Sequence, residues 1–177
     1  MYTAYKALPT SGKSIAKYAR SIRNDIGLGN TFFFPVMVFL EHILPQAFPD
    51  MNLEIVPPQD MPFKEGETIP GQNTIRIRED VYTAACDNNG RARFTVTHEI
   101  GHFLIHTPDS IVLCRRIEGT KLPPYEDPEW QANTFAGELL APSYLIKNLS
   151  TRQVMQFCCV SQKAAEIALA KSMKLCC

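Results

Sequence analysis

The sequence lacks an excess of charge of either sign, a long hydrophobic run and a paired-cysteine motif. Its 18 basic and 18 acidic residues leave a formal net charge of zero, so the composition does not point to nucleic acid or an anionic membrane as a partner. The most apolar stretch, residues 32–44, is too short to span a bilayer and contains Pro35 and Glu41. We therefore expect a buried helix there and no membrane association.

Two further absences concern the cellular compartment. The first residues contain no apolar segment of the signal-peptide type, so we expect a cytoplasmic protein. None of the six cysteines forms a C-x-x-C pair. In the reducing cytosol we expect mostly free thiols, with the terminal Cys176 and Cys177 frayed.

The length and composition are those of a globular domain. The chain has 177 residues, of which 45% are hydrophobic, and this is enough for one domain with a buried core. We expect a single domain over 1–177, with N-terminal helices at 14–48, a central part at 52–142 and C-terminal helices at 143–177.

The N-terminal region predicts a leader and two helices. Residues 1–13 look like a loose leader. Ser14 can cap a first helix that runs to about Gly27, and Pro35 can start a second helix that ends before Pro45.

A short motif carries the strongest chemical signal. HEIGH at residues 98–102 matches the pattern H-E-x-x-H. On a helix, His98 and His102 lie on one face, about 6 Å apart along the axis, and can bind one metal ion. The carboxylate of Glu99 can then reach a water on that metal, and Zn²⁺ suits such ligands. The alternative is a helix with two surface or core histidines. Gly101 costs about 1 kcal/mol relative to alanine inside a helix, so we expect another element to approach closely there.

The segments before the motif predict a small antiparallel or mixed sheet. Short extended stretches occur around 53–56 and 63–69, and Thr74–Arg78 alternates isoleucine with arginine. An edge strand beside the motif helix can hold an extended peptide by strand addition. Thr74–Arg78 is our candidate for that edge. The result is an α+β, zincin-like fold, with the sheet packed on helices that include the motif helix, and a helical C-terminal part.

A catalytic zinc site has three protein ligands, so one more is expected in addition to His98 and His102. Glu129 starts a clear helix, and Asn133 lies four residues later on the same face, where it can orient a ligand. His106 continues the i, i+4 series, but three ligands on two turns of one straight helix cannot converge on one ion. Asp127 and Glu126 are weaker alternatives. An acidic residue is also favoured in a first helical turn by the helix dipole alone.

The C-terminal region predicts two more helices. One starts at Ser150 or the next residue, and the last is capped by Ser161. A helix-turn-helix that binds DNA is an alternative reading of this pair. The last helix offers only Lys163, Lys171 and Lys174 as a basic surface, so we expect these helices to pack on the core rather than to bind DNA directly.

Three blocks occur in this order: RFTVTHEIGHFLIH at 93–106, EWQANTFAGELLAP at 129–142 and FCCVSQKAAEIAL at 157–169. Together they resemble the ImmA/IrrE family of small metallopeptidases. The chain departs from the family pattern at Thr97, where alanine is common, and at Ala141, where methionine is common.

The resemblance implies roles for residues and a class of substrate. It makes His98, His102 and Glu129 the ligands of Zn²⁺ and Glu99 the catalytic base. It also implies a cytosolic substrate, a helix-turn-helix repressor that is cut to relieve repression, in a prophage, mobile-element or stress-response setting.

We therefore predict a zinc metalloendopeptidase. The alternative is a non-catalytic zinc-binding regulator that acts by binding a partner or DNA. The candidates for a second oxyanion donor are Tyr125, Tyr82, Arg91 and Arg93, and the sequence does not choose among them. The stretch 107–128 is a candidate cover for the site.

Overall fold

Helices dominate the part of the chain that the computed structural model describes, which is residues 2–69, 71–116 and 121–175. The helices are α1 (Gly12–Asp25), α2 (Val36–Val38), α3 (Leu44–Ala47), α4 (Glu79–Cys86), α5 (Gly90–Ile105), α6 (Pro128–Leu140), α7 (Ser143–Ile146), α8 (Thr151–Cys158) and α9 (Gln162–Leu175). The strands are β1 (Tyr2–Ala7), β2 (Asn52–Val56), β3 (Gly66–Ile69), β4 (Thr74–Arg78) and β5 (Ile111–Arg116). The prediction of an α+β fold with a helical C-terminal part is confirmed.

Strands β2, β4 and β3 form a mixed sheet in that order, with β2 parallel and β3 antiparallel to β4. Ile75 and Ile77 of β4 are fully buried, while Arg76 on the opposite face pairs with Glu54 and Glu67 at 3.0 and 2.6 Å. The mixed sheet and its alternation are confirmed. The prediction that Thr74–Arg78 is an edge strand is wrong, because this strand pairs with β2 on one side and with β3 on the other. The edges are β2 and β3.

A second, two-stranded sheet corrects the prediction of a loose leader. β1 pairs antiparallel with β5, from Tyr2 opposite Arg116 to Ala7 opposite Ile111. The partner lies more than a hundred residues away along the chain, so no local pattern in the first residues indicates the pairing. Strand β5 itself lies within the stretch 107–128 that is our candidate cover for the site.

The first helix begins three residues earlier than predicted. Ser11, not Ser14, is its N-cap, and the Ser11 side chain accepts a hydrogen bond from the Ser14 main-chain N–H. The second helical segment was predicted to end before Pro45 but continues past it. A π-helical turn at Phe39–Ile43 leads into α3, and Pro45 lies at the start of α3. Proline is tolerated there because the first turn of a helix does not need its N–H.

Helix α5 runs through the core and packs on α6. Val96 and Ile100 on α5 are fully buried, as are Phe135 and Leu139 on α6. From the C-terminal helices, residues such as Val154 join the same core, as expected for helices that pack on it. The cap predicted at Ser161 is present, because its side chain accepts from the main chain of α9. Of the two residues expected to start α8, Ser150 is the N-cap, and its side chain accepts from the main chain of that helix.

Two expectations from composition concern thiols and membranes. Cys86, Cys158 and Cys159 are free thiols, whereas Cys176 and Cys177 lie outside the described residues. Within the described ranges, none of the helices has the length and apolar character needed to cross a membrane.

Candidate metal centre

Helix α5 presents both motif histidines on one face. It starts after Asn89, whose side-chain oxygen accepts from the N–H groups of Arg91 and Ala92, each at 3.1 Å. These bonds satisfy main-chain donors that a helix leaves free at its start. The helix then continues to Ile105, so His98 and His102 lie one turn apart within it.

The structure brings the three predicted ligands together. The Nε2 atoms of His98 and His102 are 3.0 Å apart. Carboxylate oxygens of Glu129 lie 3.3 Å from His98 Nε2 and 3.2 Å from His102 Nε2. Ligand atoms at the corners of a zinc tetrahedron, about 2.0–2.1 Å from the ion, are about 3.3 Å apart. The nitrogen and oxygen donors and their spacing therefore fit a zinc ion.

The cluster is open on one side. The His98 and His102 side chains are 16% and 17% exposed, while the Glu129 side chain is 68% exposed. An open side leaves a position for water or substrate, which a catalytic zinc site requires and a closed structural site lacks.

The packing of α6 on α5 is what brings Glu129 to the histidines. A Cβ atom on Gly101 would lie 3.0 Å from Cδ1 of Phe135 and 3.3 Å from the Cα and O of Ala132. The close approach expected at this glycine is therefore present. At the start of α6, Asp127 accepts a hydrogen bond from the Glu129 N–H at 3.0 Å and so fixes the first turn.

The pKa values of Glu129 and His98 are shifted by their neighbours in the cluster. The imidazoles of His102 and His98, whose Nε2 atoms lie within 3.3 Å of its carboxylate, hold the pKa of Glu129 well below its usual range. Burial acts to lower the pKa of His98, but the hydrogen bond with Glu129 and the nearby charge of Glu99 outweigh burial and raise that pKa. A carboxylate that stays ionised beside two imidazoles favours a positive charge between them.

Glu99 lies beside the cluster with a different environment. The Glu99 residue is only 7% exposed, and this burial raises the pKa of its carboxyl group. The hydroxyl oxygen of Thr68 on β3 lies 2.9 Å from Glu99 Oε2 and 2.9 Å from its main-chain O. A Cβ atom on Gly66 would lie 2.9 Å from Glu99 Cγ. Strand β3 thus lies directly against this carboxylate.

Each histidine of the cluster has a partner on its other ring nitrogen. Asn133 Oδ1 lies 3.1 Å from His98 Nδ1, which is the orienting contact expected for Asn133. His106 is not in the cluster, and instead its Nδ1 lies 2.9 Å from His102 Nδ1 and its Nε2 lies 3.0 Å from Gln131 Oε1. Burial lowers the pKa of His106 to about 4, so its ring is neutral near neutral pH.

The weaker alternatives for the third ligand have other partners. Asp127 caps α6 through the Glu129 N–H, and Glu126 forms an ion pair with Lys6 at 2.9 Å. Sequence reasoning missed Thr68 and Gln131. The continued spacing of His106 was a usable signal that α5 makes one more contact on this face, but nothing local indicated its partner.

Three of the four candidate oxyanion donors have partners elsewhere. Arg93 is 1% exposed and donates to a main-chain carbonyl in the core at 2.8 Å. Tyr82 donates to Glu41 at 2.8 Å, and Arg91 donates to Glu65 at 2.6 Å. None of these contacts involves the metal cluster.

A cleft of about 470 Å³ adjoins the cluster on the side of His102. It is bounded by Tyr5 of β1, by Lys64 before β3, and by Ile111 and Leu122 from the stretch expected to cover the site. That stretch therefore forms one wall of the cleft, and β1 brings a tyrosine to it that no sequence pattern indicated.

The metal cluster lies within the part of the chain that matches a known protein family. The family Peptidase_M78, described as IrrE N-terminal-like domain, matches residues 61–156, more than half of the chain. The match spans both cluster helices, α5 and α6, as well as β3. No curated protein and no solved structure matches the chain significantly.

Proposed function

The chain belongs to the Peptidase_M78 family of IrrE N-terminal-like domains, and on that premise we propose that it is a zinc-dependent endopeptidase. The observation that carries the proposal is the cluster of His98, His102 and Glu129, with ligand atoms 3.0–3.3 Å apart and the buried carboxylate of Glu99 beside it. A structural zinc site does not require such a carboxylate, which is why we favour catalysis over a regulator that only binds metal.

The roles of the residues follow from their positions. His98, His102 and Glu129 would hold the ion, and a bound zinc ion would act as a Lewis acid that acidifies water and polarises a carbonyl group. Glu99 accepts the proton of the attacking water and returns it to the leaving amine. The raised pKa of Glu99 suits both steps, since a base that is too weak cannot take the proton and one that is too strong cannot return it. Thr68 holds the Glu99 carboxylate in place.

An extended peptide has a place to bind next to this group. Strand β3 is at one end of its sheet, so one side of its backbone can pair with an added strand. Because Thr68 of β3 contacts Glu99, a peptide added to this edge runs past the metal cluster. This arrangement supports cleavage within a chain rather than removal of a terminal residue.

The family resemblance supports a substrate class. We propose that the substrate is a helix-turn-helix transcriptional repressor in the cytoplasm, cut to relieve repression in a prophage, mobile-element or stress-response setting. Direct contact with DNA or membranes is not part of the proposal.

The test combines metal content with cleavage. We expect about one zinc per chain in the unaltered protein and in Glu99→Gln by elemental analysis, and a clear loss in Glu129→Gln. Glu126→Gln is the matched control, because this nearby carboxylate pairs with Lys6 and should leave zinc unchanged. With purified helix-turn-helix repressors, Glu99→Gln should lower the cleavage rate by about 10²–10⁴. Undiminished cleavage by Glu99→Gln would refute the role of the base, and a well-folded protein that takes up no added zinc would refute the site.

A further inference from the structure

The metal cluster is connected to the N-terminal segment of the chain by a line of buried hydrogen bonds. The line runs from Gln131 on α6 through His106 to His102. Gln131 is fully buried and His106 is 4% exposed, so neither side chain can exchange these partners for water freely. Which nitrogen carries each proton is therefore decided by the protein rather than by solvent.

Gln131 fixes which atom donates in each of these hydrogen bonds. Its side-chain nitrogen donates to the main-chain carbonyls of Leu8 at 2.9 Å and Tyr125 at 2.8 Å, which uses both of its N–H bonds. Its Oε1 atom can then only accept, so the proton on the 3.0 Å contact with His106 Nε2 belongs to the histidine. This fixes the amide orientation of Gln131 without reference to the metal cluster.

The proton position on His102, a proposed metal ligand, follows from that on His106. A neutral imidazole has one N–H and one bare nitrogen. With its proton on Nε2, His106 accepts at Nδ1, and the 2.9 Å contact requires His102 to donate from its own Nδ1. The Nε2 atom of His102 is then bare and faces His98 and Glu129. That is the protonation state in which Nε2 can bind a metal ion.

We propose that Gln131 and His106 are positioning residues that set the proton of His102 on Nδ1 before metal binds. The N-terminal segment takes part because the Leu8 carbonyl helps to hold Gln131 in the required orientation. The inference rests on the proposed metal site. Tyr125 O also accepts from the Thr10 N–H at 2.8 Å, and Leu8 N–H donates to Ser110 at 2.9 Å. The segment that follows β1 is thus held at the atoms that orient Gln131, so its docking and the metal affinity of His102 are coupled.

The first test uses the unaltered protein without metal. The chain has four histidines, so long-range proton–nitrogen NMR spectra at pH 8 contain few ring signals to assign. We expect His102 with its proton on Nδ1 and His106 with its proton on Nε2. A His102 proton on Nε2 in the metal-free protein would overturn the inference.

The second test uses variants and zinc affinity by competition with a chelator dye. His106→Phe and Gln131→Met remove the hydrogen bonds while keeping side-chain bulk, and each should weaken zinc binding by about 10–100-fold. In His106→Phe the single preference for Nδ1–H at His102 should also disappear. His106→Gln supplies a carbonyl acceptor and should restore affinity to within about threefold of the unaltered protein.

The control is His42→Gln, because the His42 side chain is 70% exposed and should have no effect. If the unaltered protein binds no zinc, the proposed function fails, but the metal-free spectrum still shows whether His102 carries its proton on Nδ1. If zinc binds but His106→Phe and Gln131→Met bind it as tightly as the unaltered protein, the positioning role is wrong. Should His106→Phe fail to fold, Gln131→Met and the metal-free spectrum decide.

Discussion

Gly101 on α5 and Gly137 on α6 should respond differently to the same substitution, because only Gly101 lies against the facing helix. A Cβ atom at Gly101 would meet Phe135 Cδ1 at 3.0 Å and main-chain atoms of Ala132 at 3.3 Å, whereas nothing lies within 4 Å of a Cβ at Gly137. Both residues lie inside helices, where alanine is favoured over glycine by about 1 kcal/mol. Only Gly101 has a reason to remain glycine.

The magnitude follows from these contacts. For Gly137→Ala we expect the free energy of unfolding to rise by about 1 kcal/mol, or a Tm higher by about 2–4 °C for a chain of this size. For Gly101→Ala the same gain is opposed by overpacking of about 1–3 kcal/mol, because Phe135 is fully buried and the backbone of Ala132 can move only with α6. The variant should be unchanged or less stable, by up to about 2 kcal/mol.

The assay is urea unfolding of both variants in a chelator, since bound metal would stabilise the folded state. Zinc affinity gives a second readout. A Gly101 side chain pushes α6 away from α5 and shifts Glu129 relative to the histidines, so Gly101→Ala should weaken zinc binding and Gly137→Ala should not. Equal stabilisation by the two substitutions would refute the close approach of the helices at Gly101, and with it the account of how Glu129 is positioned.

Three other outcomes are expected. Thr68→Val should keep zinc but slow cleavage about tenfold, because a hydrogen bond to a charged group such as Glu99 contributes about 1.5 kcal/mol; an unchanged rate would mean that Thr68 does not orient the base. Burial raises the pKa of the Cys158 thiol to about 11, so at pH 8 about one molecule in a thousand carries the thiolate and the rate of alkylation should rise with pH toward that value. Peptide mapping should show rapid alkylation of the exposed Cys86 at pH 8, and equal labelling of Cys158 would contradict its burial. Ser150→Ala removes a capping box and should lower the unfolding free energy by about 1 kcal/mol, measured by urea unfolding.

The sequence was sufficient for features that depend on neighbouring residues. The motif helix, its two metal-facing histidines and the caps at Ser150 and Ser161 follow from spacings of three or four residues, which a helix brings together by itself. Glu129 is the acidic residue in the first turn of another helix, α6, where its position is also readable from the sequence. Asn133, which contacts His98, follows from the same helical spacing, four residues after Glu129.

Tertiary structure alone decided the features that join distant segments. Thr68 reaches Glu99 across 31 positions, and Gln131 reaches His106 across 25. The order of the strands placed β3 rather than Thr74–Arg78 at the edge, and the partner of β1 lies beyond the middle of the chain. Hydrogen bonds between residues so far apart in the chain leave no periodic pattern in the sequence, because the residue types around each partner reflect only its own helix or strand. Residue types and helical spacing therefore determined which groups can bind metal, while the packing of α6 on α5 and the pairing of the strands decided how those groups are oriented.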